Sequence, residues 1–460
     1  MSRPVLAIIG AGFSGATLAA QLLGEARRAP KIIMIDRSGR FGPGLAYATH
    51  HSAHLLNVPA DKLGLTPDRP GDFTDFVRFC SRDPDPSGSF AQRTIYGSFL
   101  ETQMRRLARA SGPGELTLLR DAVVSCRTTP GAICLELSSG ASIKADAAVL
   151  ALGNLPTRAP TPFDTLPLEE SRALRDPWDQ GALSRIQPHD DILILGSGLT
   201  MIDAVLSLSA APRRGIIYVL SRHGLTPRSH GEDQASPGAP VSYDAPLSAM
   251  LHAFRREIVR AGNWRQVIDR LRPETTAMWR KFSPERQQRF LRHLRPWWDV
   301  HRHRTPAYIH AWFQALQQAG MVRVLAGRVV HAAPTPSGFH VAYLPRGLRE
   351  ARTLDVAQII NCTGACADLA AARDPLIQDM LRSGIARSHA SGLGFDIEED
   401  GRLIDGRGQP QQRLFALGPL TQGAFWEATS VPEIRMRASQ MRSTLLAAMP
   451  GHGAVRSAPV

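Results

Sequence analysis

Apolar residues fall into short unbroken runs along this chain, and several of those runs end in glycine. Val5-Leu6-Ala7-Ile8-Ile9 is apolar throughout, as is Ile192-Leu193-Ile194-Leu195. Runs of this length without alternation predict strands buried on both faces of a parallel sheet. The first leads into Gly10-Ala11-Gly12-Phe13-Ser14-Gly15 and the second into Gly196-Ser197-Gly198-Leu199-Thr200-Met201, and helical periodicity follows each turn. Similar runs end at Asp36, Leu220, Gly153 and Gly364, and helical stretches are expected from about Ser89 to Ala110 and from Val431 to Met449. The pattern predicts an α/β fold with two dinucleotide-binding Rossmann-like domains, one inserted in the other. Residues 1–160 are read as the first part of the outer domain, 161–352 as the inserted domain with a helical, Arg/Trp-rich segment, and 353–460 as the return to the outer domain.

The glycine spacing carries chemistry. Gly10 allows a tight turn, Gly12 lets the backbone approach a pyrophosphate, and Gly15 lets helix and strand pack closely; Phe13 and Ser14 fill the variable places. Unpaired N–H groups at the helix start then hold the diphosphate. Lys31-Ile32-Ile33-Met34-Ile35 ends in Asp36, whose carboxylate can accept the hydroxyls of an adenosine ribose, as FAD or NAD requires. In the second turn Gly196, Gly198, Leu199 and Thr200 are present, but Met201 replaces the third glycine, which separates helix and strand slightly. The next strand ends in Ser221-Arg222-His223, with a cation where the first has its acid. Arg222 can pair with a 2′-phosphate and Ser221 can donate to it, which favours NADPH over NADH. A flavin supplied with electrons by a nicotinamide is the expected pairing.

Other candidates surround these turns. Glycine and proline between Ser38 and Ala60 impose a specific extended path. Asn57 is a candidate hydrogen-bond partner of the flavin ring or its ribityl chain, and Val58-Pro59 a candidate apolar wall, with a loop anchored by Leu55-Leu56 as the alternative. Gly153, Thr363 and Gly364 close buried strands, the last two being read as the return to the outer domain. Gly418 and Pro419 follow the strand Arg413–Leu417. Gly418 would lie against the ribityl or phosphate part, while Pro419 stands where an aspartate is common. Trp264, Trp279, Trp297, Trp298 and Trp312 read as helix-packing core. Asp299, His301 and His303 alternate and would share one face of a strand; with no fourth ligand in view, no metal is expected, and a substrate-facing or interdomain polar cluster is. Asn57, Asn154, His301, His303 and Glu427 are the polar side chains expected at the cleft, and Arg302 and Arg304 could meet a substrate carboxylate.

Composition narrows this only slightly. Over 460 residues, 43% hydrophobic and 21% charged is ordinary for a globular enzyme, and the chain is long enough for two or three domains. A net charge of +13 suits anions such as NADPH or a carboxylate, but no nucleic-acid module is read. Five scattered cysteines form no C-x-x-C pair, which argues against a disulfide framework or a structural zinc site. Met1-Ser2-Arg3-Pro4 leads straight into a strand and no apolar run is long enough to cross a bilayer, so a cytoplasmic protein with no membrane partner is expected.

Taken together, Gly10 to Gly15, Phe41-Gly42-Pro43-Gly44-Leu45-Ala46-Tyr47, His54-Leu55-Leu56-Asn57-Val58-Pro59-Ala60, Leu152-Gly153-Asn154, Gly196 to Thr200, Val300 to Arg304, Leu417-Gly418-Pro419 and Val431 to Arg435 resemble the bacterial FAD/NAD(P)-binding family typified by the YdhS-like proteins, a relative of flavin-dependent monooxygenases. The resemblance implies FAD and NADPH and names no substrate. A more distant resemblance is to the Baeyer-Villiger and dimethylaniline monooxygenases, but their F-x-G-x-x-x-H linker has no match between Pro162 and Arg172. Disulfide reductases need a cysteine pair soon after the ribose acid, and residues 37–79 hold no cysteine. The expectation is an FAD-dependent oxidoreductase reduced by NADPH, a single-component N-hydroxylase-like monooxygenase using O2 on a small polar amine or carboxylate-bearing substrate. An NADPH:acceptor oxidoreductase and a non-catalytic FAD redox sensor stay open beside it.

Overall fold

The computed structural model describes residues 3–24, 29–81, 85–112, 115–165, 175–231 and 245–450. In chain order the strands are β1 Val5–Ile9, β2 Lys31–Ile35, β3 Leu116–Leu119, β4 Val123–Thr128, β5 Ile133–Leu137, β6 Ser142–Ala145, β7 Ala147–Leu150, β8 Ile192–Leu195, β9 Ile217–Ser221, β10 Val322–Thr335, β11 Gly338–Pro345, β12 Arg352–Val356, β13 Gln358–Asn361, β14 Arg402–Ile404 and β15 Pro410–Ala416. They fall into two compact units. One contains residues up to Leu155, the segment Thr275–Arg280 and the chain from Cys366; the other contains Pro156–Glu274 and Lys281–Ala365. The second unit is thus inserted in the sequence of the first. The linker positions Leu166 to Arg172 lie outside the described residues.

In the outer unit the sheet order is β14-β15-β7-β1-β2-β3. The links β15-β7, β7-β1, β1-β2 and β2-β3 are parallel, and β14 alone is antiparallel to its neighbour. Side chains that alternate along each strand feed two cores. Leu6, Ile8, Ala147, Val149 and Phe415 pack with the helices Phe13–Leu23, Arg93–Ala110 and Val431–Ala447. Ala7, Ile9, Ala148, Leu150 and Leu414 pack on the other face with the sheet β4-β5-β6 and the helix Pro375–Ser383. Burial on both faces is why these strands read as unbroken apolar runs.

The inserted unit has the order β12-β11-β10-β9-β8-β13, with β10, β9, β8 and β13 parallel and β10-β11-β12 an antiparallel meander. Here the structure corrects the sequence reading. β13, with Thr363 and Gly364 behind it, pairs with β8, so it belongs to the inserted unit, and the chain re-enters the outer unit at Cys366 and not near 353.

Candidate functional site

In an open parallel sheet, ligands bind beyond the carboxyl ends of the strands, where the strand order reverses. That point lies between β1 and β7 in the outer unit and between β8 and β13 in the inserted one. The two places are built alike. Gly10 has φ +102°, and a Cβ there would sit 2.3 Å from the Ala151 carbonyl oxygen. Gly196 has φ +96°, and its Cβ would sit 2.2 Å from the Cys362 carbonyl oxygen. Two residues past each of those carbonyls stands an open left-handed glycine, Gly153 (φ +71°) and Gly364 (φ +99°), with nothing within 4 Å of an added Cβ. The Gly10 N–H donates to the Ile35 carbonyl at 2.8 Å and the Gly196 N–H to the Leu220 carbonyl at 2.9 Å. Sequence reasoning assigned Thr363 and Gly364 to the wrong cradle, yet these residues complete the second one.

The helices that leave these turns, Phe13–Leu23 and Leu199–Leu208, start at Gly12 and Gly198 with no side-chain cap and no acid in the first turn. Their first N–H groups and positive dipole ends are therefore available to an anion. Helices Trp264–Leu271, Pro284–His293 and Pro375–Ser383 instead carry capping side chains, Asn263, Ser283 and Asp374. Gly44, at φ +53°, faces Gly12, and a Cβ on Gly44 would lie 2.9 Å from the Gly12 Cα, so the Ser38–Ala60 segment crosses the turn at a distance that needs glycine at Gly44. Gly15 packs as expected, its Cβ direction pointing at the Gly10 carbonyl oxygen 2.3 Å away. Nothing stands within 4 Å of a Gly198 Cβ. Phe13 is buried in the core and Ser14 is 4% exposed, so these two contribute backbone N–H groups to the turn. Gly418 (φ +92°) packs against Ser14, its Cβ direction 2.3 Å from Ser14 Oγ, which brings the end of β15 to the first cradle. Pro419 then opens the short 3-10 turn Pro419–Thr421, and Thr421 takes up the Gly418 carbonyl. The helix expected from Val431 is present as Val431–Ala447.

The strand ends differ in charge. Asp36 Oδ1 accepts from both the N–H and the hydroxyl of Ser38 (2.8 and 2.6 Å), and Oδ2 accepts from the Ala11 N–H at 2.9 Å. Three of about four acceptor positions on the carboxylate are filled, which leaves room for one ribose hydroxyl where the sequence suggested two. At the matching place in the inserted unit, Ser197 Oγ lies 2.5 Å from the Leu225 carbonyl and 2.9 Å from Ser221 Oγ, which also accepts the Gly224 N–H at 3.0 Å. The carbonyl can only accept, so the Ser197 proton goes to it and the Ser221 proton goes to Ser197. Ser221 shapes the turn, and its hydroxyl proton can turn from Ser197 to a phosphate. Arg222 is exposed.

Asn57 and Val58 are half-buried beside Leu56, on a segment tied to the chain at 89–92 through Leu56 N–H to the Ala91 carbonyl (2.9 Å). Glu427 is buried in the same unit at 5% exposure, while Asn154 is exposed. His301 and His303 belong to the inserted unit; Asp299 and His301 lie in the helix Arg295–Arg302 and His303 caps its end, which overturns the strand face expected for Asp299, His301 and His303. His301 Nδ1 lies 2.7 Å from the Trp297 carbonyl, so Nδ1 carries the proton. Burial, more than the nearby Arg228 and Arg304, pulls the His301 pKa below its ordinary value against that bond. His303 lies 3.8 Å from Asp299. Arg304 is not free to meet a substrate: it is buried, holds Asp269 through both terminal nitrogens at 3.0 and 3.1 Å, and lies 5.0 Å from the Trp264 ring. Of the five tryptophans only Trp279 is fully enclosed, donating to the Gly423 carbonyl at 2.7 Å within the outer unit.

Residues 7–155, which span the first cradle, match the family model described as FAD-NAD(P)-binding. The outer unit carries a FAD-NAD(P)-binding domain. Uncharacterized proteins of Mycobacterium tuberculosis and Mycobacterium bovis are each 21% identical over 413 residues, covering 78% of this chain and 74% of theirs. Among solved structures, the reduced ornithine hydroxylase PvdA of Pseudomonas aeruginosa superposes with a TM-score of 0.65 at 16% identity, over 97% of this chain and 100% of that one. The ornithine N-hydroxylase KtzI of Kutzneria sp. 744, solved with reduced FAD, NADP+ and L-ornithine, gives 0.67 at 14% identity over 97% and 99%. The FAD-bound cadaverine monooxygenase DfoA of Erwinia amylovora gives 0.68 at 13% identity over 100% and 99%. These are likenesses of fold: an FAD-NAD(P)-binding domain with a second Rossmann-like unit inserted in it.

Proposed function

We propose that this chain is an FAD-dependent oxidoreductase reduced by NADPH, working as a single-component N-hydroxylating monooxygenase on a small polar amine or carboxylate-bearing substrate. One observation carries the reading: the chain builds the same glycine cradle twice, and the adjoining strand ends in a carboxylate the first time and a cation the second. A carboxylate suits the free ribose of FAD, and a cation suits the 2′-phosphate of NADPH. FAD, when bound, takes hydride from the nicotinamide and passes electrons onward.

In this reading Gly10, Gly12, Phe13, Ser14 and Gly15 hold the FAD diphosphate through backbone N–H groups, Asp36 orients its ribose, and Gly153, Gly418 and Pro419 give it backbone room. Asn57 and Val58 border the ring. Gly196, Gly198, Leu199, Thr200, Thr363 and Gly364 hold the NADPH diphosphate, with Ser221 shaping the turn that presents Arg222. Asn57, His301, His303 and Glu427 are the side chains assigned to hold substrate or move a proton; His301 offers Nε2 as its acceptor. The substrates in the names of structurally similar enzymes, ornithine, lysine and cadaverine, are small amines, which supports that class here.

The test is a balance of products. FAD-loaded protein is given NADPH, oxygen and a panel of diamines and amino acids, and NADPH oxidation, hydroxylated amine and hydrogen peroxide are all measured. One amine should give hydroxylated product in amounts equal to the NADPH consumed. Peroxide alone with every amine would leave the NADPH:acceptor oxidoreductase reading, and no NADPH oxidation with any acceptor would favour a redox sensor.

A further inference from the structure

The end of β9 carries more positive charge than its own sequence shows. In the parallel pair β9-β10, Ser221 is in register with Ala326. The Ala326 carbonyl accepts the N–H of Arg346 at 2.8 Å, so the turn after β11 is bonded to the same strand end that presents Arg222. Gly224, at φ +61°, closes the Arg222-His223 turn down onto that place, its Cβ direction 3.1 Å from Ala326 Cβ. Arg222 and Arg346 are both exposed, and among the described residues no carboxylate pairs with either. Elsewhere in the chain exposed arginines commonly find one, as Arg40 does with Glu101 at 2.7 Å and Arg387 with Asp396 at 2.6 Å. His223 lies in the same turn as Arg222, and its Nδ1 is buried without a hydrogen-bond partner. Burial first, then Arg346 and Arg222, lower its pKa, so both cations are within electrostatic reach of one imidazole. Two unpaired guanidiniums held at the place where an adenosine ribose is read form a site for a compact, multiply charged anion.

We propose that Arg346 is a specificity-determining residue for the nicotinamide nucleotide, closing with Arg222 on the 2′-phosphate of NADPH. The inference rests on the reading that the inserted unit binds a nicotinamide dinucleotide, and goes beyond it by assigning the second cation to a hairpin more than a hundred residues away.

The test uses the full-length, FAD-loaded protein and two fragments of the nucleotide, 2′,5′-ADP and 5′-AMP, titrated calorimetrically into the wild type and into R346A and R222A. Wild type should bind 2′,5′-ADP more tightly than 5′-AMP. R346A should lose about tenfold or more for 2′,5′-ADP with 5′-AMP unchanged, R346K should recover part of the loss, and the double variant should bind the two fragments alike. An R346A protein that keeps the wild-type ratio overturns the role of Arg346 while leaving the NADPH reading intact. Equal loss for both fragments makes Arg346 structural and also overturns it. Wild type that binds neither fragment, or both equally, brings down the NADPH reading itself and the clamp with it.

Discussion

At the scale of single residues, the glycines of each cradle separate folding from binding. Gly196 has no room for a side chain, with φ +96° and a carbonyl oxygen 2.2 Å from its Cβ position, whereas Gly198 has nothing within 4 Å. Gly196→Ala should therefore cost at least about 2 kcal/mol of stability through backbone strain, visible as a lowered denaturation midpoint without any ligand. Gly198→Ala should cost about 1 kcal/mol or less and yet weaken NADPH about tenfold, because the added methyl holds the phosphate off the helix N–H groups. Equal damage to folding from both changes would contradict the division of roles. These residues were legible in sequence because a strand, its turn and the next helix form one local unit, whose spacing is set by a few backbone contacts. Arg346 was not legible. Nothing near it in sequence marks it, and only the register of β9, β10 and β11 carries it to Ser221.

At the scale of elements, the polar groups set inside packed segments make separate tests possible. Asp72 opens the helix Asp72–Ser81 and accepts the Leu65 N–H at 3.2 Å, and burial raises its pKa to about 6 against the contributions of that bond, Arg69 and Arg435. A carboxyl whose folded pKa is raised holds its proton better in the folded state. Stability is then greatest below the ordinary carboxylate range and falls as pH rises to about 6. Asp72→Asn keeps the acceptor for Leu65 and removes the titration, so melting temperature measured from pH 4 to 7 should fall less steeply than in the wild type. An unchanged slope would contradict it. In the inserted unit, Arg304→Ala leaves Asp269 without its bidentate partner and removes one of the two guanidiniums at the Trp264 ring, and about 3 kcal/mol of stability should go with it in a chemical denaturation series. NADPH binding by the folded fraction should survive, since Arg304 serves the scaffold; loss of binding with unchanged stability would return it to the site. The sequence misassigned this segment for a definable reason. Alternation of Asp299, His301 and His303 is compatible with a strand, but the surrounding residues Arg295–Arg302 bury Val300 as part of a short helix.

At the scale of the whole chain, what was legible is the duplication, and what was not is where each strand goes. Val356–Gly364 reads as a buried strand in either unit, and its pairing with β8 is decided by tertiary contacts that the run of apolar residues does not encode. The fold is nevertheless a consequence of the early pattern: two apolar strands, two glycine turns, one acid and one cation. The central claim is that this single chain holds a flavin in the first cradle and takes electrons from NADPH at the second. Its most direct test is rapid anaerobic mixing of FAD-loaded protein with NADPH or NADH while following the oxidised-flavin absorbance. NADPH should bleach one equivalent of FAD per chain, and NADH at the same concentration should do so more slowly. Protein that retains no FAD, or FAD that stays oxidised in the presence of NADPH, would contradict the account.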